Sequence, residues 1–380
     1  MIGIKGQYAF SFSVGPLKDF INQGDLDSFR FIEESGNVLP TFELVFKTKI
    51  EKILGYLNEG NDLDLRFGMN IEGDDVVQVN LNITKMEVIR INQFERRINL
   101  VGIMSKMDYI ITPRIRIIKE KSAVEAIKEV MGIHFSSKLI KGVSSSEDSQ
   151  NWIQHNISDK KFVQDMVLHA KIDNSFPIIG INSQGQFIIN SFKALGSNYT
   201  WNFIPGEGDN KKDYHYFGDY VFTSNNGFLN SIFGYGRDKK ILDMESGLQN
   251  TETSDSQTIM ALANTLSRRA TIEKRYSEVG IKNANMDPDY WTTALNNLVN
   301  WAVFSSHKIS LWVPNIYFKV SILDLAQFTE RESTDKSKTS EYLAGLYIVT
   351  KVVRTISANT FATNVELSRE SMNATRGDLR

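Results

Sequence analysis

Residues 83–100 read ITKMEVIRINQFERRINL, and residues 349–367 read VTKVVRTISANTFATNVEL. Thr84-Lys85 matches Thr350-Lys351 at a separation of 266, and Phe94, Ile98 and Leu100 match Phe361, Val365 and Leu367 at 267. Both stretches are β-rich and read as the last two strands of a sheet domain, the second with one extra residue in its turn. Any two amphipathic hairpins share some β-branched positions, so chance and duplication both remain open at this level. A duplication implies two related β-domains with other elements inserted between them.

The rest of the chain fits that plan. At 380 residues it exceeds the size at which one hydrophobic core keeps growing, so two to four domains are expected. Before about residue 118, period-two patterns dominate: Tyr8, Phe10, Phe12 and Val14; Leu63, Leu65 and Phe67; Val77, Val79, Leu81 and Ile83. Ile50, Ile53, Leu54 and Leu57 keep helical spacing and predict one helix among these strands. A small barrel or sandwich is expected, since closure disposes of strand edges.

From 119 the period changes. Ser122 and Glu125 form a capping-box pair ahead of Val124, Ile127, Val130 and Met131, and Gly132 is placed at the helix end. A polar loop at 144–150 leads to a second helix from Ser158 that buries Phe162, Val163, Met166, Val167 and Ala170. A hairpin follows, with strands over 177–181 and 186–190. Strand character returns at 214–237. Ile259, Leu262, Ala263 and Leu266 then share a helical face, and Asp287 with Pro288 opens another helix through Trp291, Leu295, Leu298 and Ala302. Strands at 307–313, 317–323, 346–356 and 361–367 close the chain around a polar loop at 328–341. The expected fold class is therefore α+β and mainly β. Its parts are a first tube-type antiparallel β-barrel (1–118), an α/β insert (119–195), a discontinuous second barrel (196–240 and 305–370), a helical excursion (241–304) and a polar tail (371–380).

Composition excludes several functions. A formal net charge of −2, from 43 basic and 45 acidic residues, is no footprint of phosphate-backbone binding, so sequence-specific nucleic-acid binding is not expected. No apolar run is long enough to span a membrane, and the first residues lack a secretory core, so no membrane insertion is expected. The absence of cysteine removes thiolate chemistry and Cys-ligated zinc. His134, His155, His169, His215 and His307 show no metal-site spacing, and a structural role is favoured for His169, late in a helix, and for His307 at a strand start. The glycines of GEGD (206–209) and GYG (234–236) suit turns and a bulge rather than phosphate binding. The pairs Asp243/Glu245 and Asp287/Asp289 lack the context of a glycosidase site. Trp152, Trp201, Trp291, Trp301 and Trp312 are scattered, with Trp201 placed in a loop as a candidate contact, and Arg96-Arg97 and Arg268-Arg269 read as solvated faces. No catalytic, cofactor-binding or metal residue is assigned, and no enzyme activity is expected.

Three stretches carry a family resemblance. SDKKFVQDMVLHAKIDNSFPIIGINSQGQFIINSF (158–192), NNGFLNSIFGYGRDKK (225–240) and YLAGLYIVTKVVRTISANTFATNVELSRES (342–371) resemble, in order and pattern, the baseplate central hub of contractile-tailed bacteriophages. That family includes the first part of VgrG-type spike proteins of type VI secretion. The resemblance implies a homotrimeric, pseudo-sixfold ring in the virion baseplate, assembled in the host cytoplasm. Its partners would be a tail tube or tube-initiator protein, a spike, and DNA or a tape-measure protein in the channel. No OB-like or β-helix segment is found before residue 380, so the spike is expected to be a separate polypeptide. Alternatives are a tail-hub or distal tail protein of a non-contractile phage, a tail-associated glycan hydrolase and a carbohydrate-binding module.

Overall fold

Alternating apolar residues build the first sheet of the computed structural model. It describes residues 11–14, 21, 23–68, 76–172, 175–192, 195, 200–205, 214–216, 220–224, 236–253, 274–283, 285–314, 319–330, 342–357 and 360–370. Six strands come first: β1 (Ser11–Val14), β2 (Leu26–Glu34), β3 (Thr41–Thr48), β4 (Asp62–Gly68), β5 (Val76–Arg90) and β6 (Arg96–Met104). They lie side by side in the order β1-β4-β5-β6-β3-β2, every pair antiparallel. Leu63, Leu65 and Phe67 stand opposite Leu81, Val79 and Val77, and all six are buried. Such cross-strand pairs stabilise an antiparallel sheet, each by roughly 0.2–1 kcal/mol. The rings of Phe29 and Phe31 pack on Phe67 at 5.3 and 5.5 Å. The helix expected near 50–57 is instead a six-residue 3-10 turn, Glu51–Tyr56, with no side-chain cap. It still buries Ile53 and Leu57, but Ile50 is exposed and Gly55 weakens any longer helix.

The insert follows. Helix α1 (Met107–Ile111) leads into β7 (Pro113–Lys121), α2 (Ala123–His134), β8 (Ile140–Gly142), β9 (Gln150–Ser158), α3 (Asp159–His169) and the hairpin β10 (Pro177–Ile181) and β11 (Phe187–Ser191). The capping box forms as expected, with Ser122 Oγ accepting from the Glu125 amide and Glu125 accepting from the Ser122 amide. Gly132 does not end α2. The helix continues to His134, which is turned inward onto Asp159 at 2.7 Å. Ser158 caps α3, and the five apolar residues assigned to its core face are buried. β7 pairs with β9 rather than with the large sheet, and the boundary read at 118 falls inside it.

The last part holds β12 (Trp201–Pro205), β13 (Tyr214–Tyr216), β14 (Val221–Ser224), β15 (Gly236–Asp243), β16 (Gln249–Thr253), β17 (Lys274–Lys282), α4 (Tyr290–Phe304), β18 (His307–Pro314), β19 (Leu325–Phe328), β20 (Gly345–Ser357) and β21 (Thr360–Arg369). Two expectations are corrected here. The stretch 241–304 is not simply helical: β15, β16 and β17 form a separate three-stranded sheet, which takes β15 away from the second half's large sheet. β16, QNTET, has no apolar alternation because its residues are mostly exposed, so periodicity could not reveal it. Helix α4 starts two residues later than expected, because Asp287 accepts the Asp289 amide in a turn of its own. The patterns at 8–10, 206–209 and 259–266, with Arg268-Arg269 and the tail from 371, lie outside the described residues.

Among the described residues the two halves share one 13-stranded sheet. β20 carries β21 on one edge. On the other edge β19 covers its first part, through 345–348, and β2 covers its last part, through 351–357. Among the described residues neither half closes on itself, and the β2–β20 joint makes them continuous.

Candidate functional site

The two hairpins that opened the sequence reading match in backbone detail. In the β5–β6 pair the register shifts between Ile83 and Lys85, and in the β20–β21 pair it shifts between Val349 and Lys351. Thr84 and Thr350 are therefore the bulged residues. Each hydroxyl donates across the pair, Thr84 Oγ1 to the Val101 carbonyl (3.1 Å) and Thr350 Oγ1 to the Glu366 carbonyl (3.4 Å). A bulge leaves one residue unpaired and sharpens the local twist. The same device stands at the same Thr-Lys in both halves.

Anchoring on the bulge carries the match across four strands. Arg30, Glu43, Val101 and Lys85 stand in one row, and Val221, Ser310, Glu366 and Lys351 stand in the other. The next row pairs Phe31, Phe42, Gly102 and Ile83 with Phe222, Ile309, Leu367 and Val349. The first row lies on the solvent face, and the second packs into the core. Size compensates within the core row. A Cβ on Gly102 would come within 2.2 Å of the Phe42 ring, so Phe over Gly in one half replaces Ile over Leu in the other.

This anchoring corrects the sequence alignment on the return strand. Lys85 faces Val101 and Lys351 faces Glu366, so the second hairpin is one residue shorter between bulge partners, not one longer. Leu100 therefore corresponds to Val365, and Gly102 to Leu367. The slip is by two residues and preserves the face, because side chains alternate with period two. Phe94 and Phe361 are not equivalent: Phe94 is 72% exposed at its turn, whereas Phe361 is buried.

The joint between the halves is fixed by an ion pair. Arg354 on β20 donates to Glu33 on β2, both fully buried, and its second nitrogen donates to the Val320 carbonyl at 2.7 Å. Glu33 also accepts from the Ser183 amide in the β10–β11 turn. The insert hairpin is thereby tied to the place where the halves meet. A second buried network ties the insert together, where Asp159 receives Arg116 (2.7 Å), Arg114 (3.3 Å), Gln154 (2.9 Å) and His134 (2.7 Å).

Most of the described residues weighed as chemical candidates have structural employment. His169 is stacked on Tyr290 at 3.6 Å, and burial pushes its pKa down to about 4. It is neutral at pH 7, in a structural role. His307 bonds to the Glu370 carbonyl, and burial lowers its pKa also. His155 is exposed on β9, and the His215 side chain lies outside the described residues. Trp201 sits in strand β12, not in a loop, with Nε1 donating to Asp324 at 2.7 Å. Trp152, Trp291 and Trp301 donate to backbone carbonyls, and Trp312 is partly exposed on β18. Asp243 accepts from the Glu245 and Ser246 amides, which hold its pKa below the usual carboxylate range, so it closes a turn and is no proton donor at neutral pH. Asp289 pairs with Lys171 at 2.8 Å. Arg96 and Arg97 pair with Glu51 and Asp27. A cleft of about 480 Å³ beside the joint holds two carboxylates, Glu34 and Glu366, each already paired with a lysine, Lys351 and Lys308. Among the described residues no group of three His, Asp or Glu side chains could hold a metal ion. No described helix is long and apolar enough to cross a membrane.

Neither a protein-family model nor a curated protein matches the sequence. Solved structures do match in fold. A tail protein from Neisseria meningitidis MC58 aligns over 96% of this chain and 97% of its own, with a TM-score of 0.58 and 9% identity. The 43 kDa tail protein of prophage MuSo2 from Shewanella oneidensis aligns over 97% and 99%, at 0.54 and 12%. The E. coli c3393 protein, described as a type VI secretion component similar in structure to the T4 tail proteins gp27 and gp5, aligns over 95% and 77%, at 0.52 and 8%. The fold of this chain is the one shared by phage tail proteins and this secretion component. The resemblance read from order and pattern agrees with those neighbours.

Proposed function

We propose that the chain is a structural hub of a phage tail. In this reading three copies form a pseudo-sixfold ring that joins a sixfold tail tube to a threefold spike and encloses a channel for DNA or a tape-measure protein. Each copy supplies two related tube-type barrels, whose strands become barrel walls only in the assembly. The observation that carries the reading is the matched pair of halves: the same bulge, the same strand rows and the same solvent and core faces occur twice in one chain. Duplicated units let a threefold assembly present sixfold geometry to one partner and threefold geometry to another. The two paired-carboxylate candidates have other employment, so the hydrolase alternative has no observation in its favour. Location in a virion baseplate follows from the same reading.

Native mass spectrometry of the purified chain tests it. The expected species is three times 43.2 kDa. A monomer whose mass is independent of concentration would overturn the ring.

A further inference from the structure

The joint inside the chain leaves two strand edges that correspond to its own components. β20 is covered on one edge by β19 along its first part and by β2 along its last. β5 is covered by β4 through residues 76–82 only, and among the described residues no strand lies against its last part, 85–90. In the second half β14 pairs with β18 and with no other described strand. In the matched rows β14 stands where β2 stands, and 85–90 of β5 stands where 351–356 of β20 stands. One component of the joint is thus present in each matched half, without its mate among the described strands.

We propose that β14 of one copy pairs antiparallel with the last part of β5 of the next copy, repeating between chains the joint that β2 and β20 make within one. The proposal rests on the ring reading and deepens it by naming the strands and register. Within the chain Arg30 stands opposite Thr355, four residues beyond Lys351. Val221 corresponds to Arg30, and four residues beyond Lys85 is Ile89. The register is therefore Val221 opposite Ile89, Phe222 opposite Val88 and Thr223 opposite Glu87. The polarity also agrees, because each half reaches its outer strand through the same run of antiparallel pairings.

The side chains fit a joint between copies. Val221 is 63% exposed and Ile89 48%, an apolar pair where the internal joint carries the polar Arg30 and Thr355. Val88, Ile91 and Phe94 continue the exposed apolar surface along the same hairpin. The internal ion pair is replaced as well: Arg354 corresponds to Val88 and Glu33 to Ser224, so mating the edges buries no charge pair at those positions. An unpaired strand edge flanked by apolar residues is a template for another strand. Continuity with the internal joint identifies that strand as one from a second copy.

The chain contains no cysteine, so V221C/I89C introduces the only thiols. Directly opposed residues in an antiparallel pair have Cα atoms about 4.5–5.5 Å apart, within disulfide reach. Mild oxidation of the full chain should link most of it into two-chain and three-chain species on a non-reducing gel. The shifted pair V221C/E87C should link at least about ten-fold less, as each residue along a strand adds about 3.4 Å. A ring of three chains in which neither pair links, or in which the shifted pair links preferentially, overturns this joint and leaves the ring standing. A disulfide within one chain also overturns it. A monomer at every concentration overturns the ring and the joint with it. I89E, at an exposed position, should keep the monomer's melting curve and lose the ring; an intact ring would contradict the joint.

Discussion

Arg354 and Glu33 are buried deeply enough that neither charge has water to fall back on. Truncating one partner leaves the other uncompensated in the interior, at a cost of about 3–5 kcal/mol. R354M should lower stability by that amount in urea unfolding, and E33Q/R354M should recover much of it. His169 gives a pH signature with a definite sign. Burial lowers its folded-state pKa from 6.5 to about 4, so the unfolded chain binds the proton first as pH falls. The neutral buried form contributes its full stability above about pH 6.5 and loses it between there and about pH 4, on the order of 3 kcal/mol in all. Asp148, Asp165 and Asp324 have pKa values raised by burial and act in the opposite direction, so the wild-type curve mixes both signs. Subtracting the curve of H169F, which keeps a ring on Tyr290, should isolate a loss confined to that window. Little of this was legible in the sequence. Nothing in the letters showed that Glu33 would meet Arg354 across 321 residues.

Elements were legible where one face is buried and illegible where none is. The strands around Leu63–Phe67 and Val77–Ile83, the capping box at Ser122 and the 177–191 hairpin all carry a period set by core contact. β16 is polar throughout, and β9 hides its inward set in Gln150, Trp152 and Gln154, of which two are amides. The repeated Thr-Lys was visible, but its cause was not: the threonine is the extra residue of a bulge, and a bulge has no hydrophobic period. T84V and T350V test whether that hydroxyl has the same role in both halves. Each loses one cross-strand hydrogen bond, worth about 1 kcal/mol. T350V should cost more, because Thr350 is buried and also bonds Ser368 at 2.7 Å, while Thr84 is exposed. Equal costs in a thermal melt would contradict the burial difference. On β5, L81D places a charge opposite Leu63 in the core, and a loss of several kcal/mol is expected in chemical denaturation.

At the scale of the molecule, the described residues form one 13-stranded sheet made of two matched halves, an insert pinned at their meeting point and a small sheet with α4. Order and pattern conveyed the paired hairpins and the hub resemblance, but not the continuity of the sheet. A strand pairing between distant segments leaves no mark on either segment beyond its alternation. The return-strand alignment slipped by two residues for the same reason, since period two scores both registers alike. The central claim is that these halves are quasi-equivalent units of a ring. Negative-stain images of the purified oligomer test it most directly. Class averages should show a ring with six similar lobes and overall threefold symmetry around a central channel. A single-chain particle at all concentrations, or a ring whose lobe number is not twice its chain number, would contradict it.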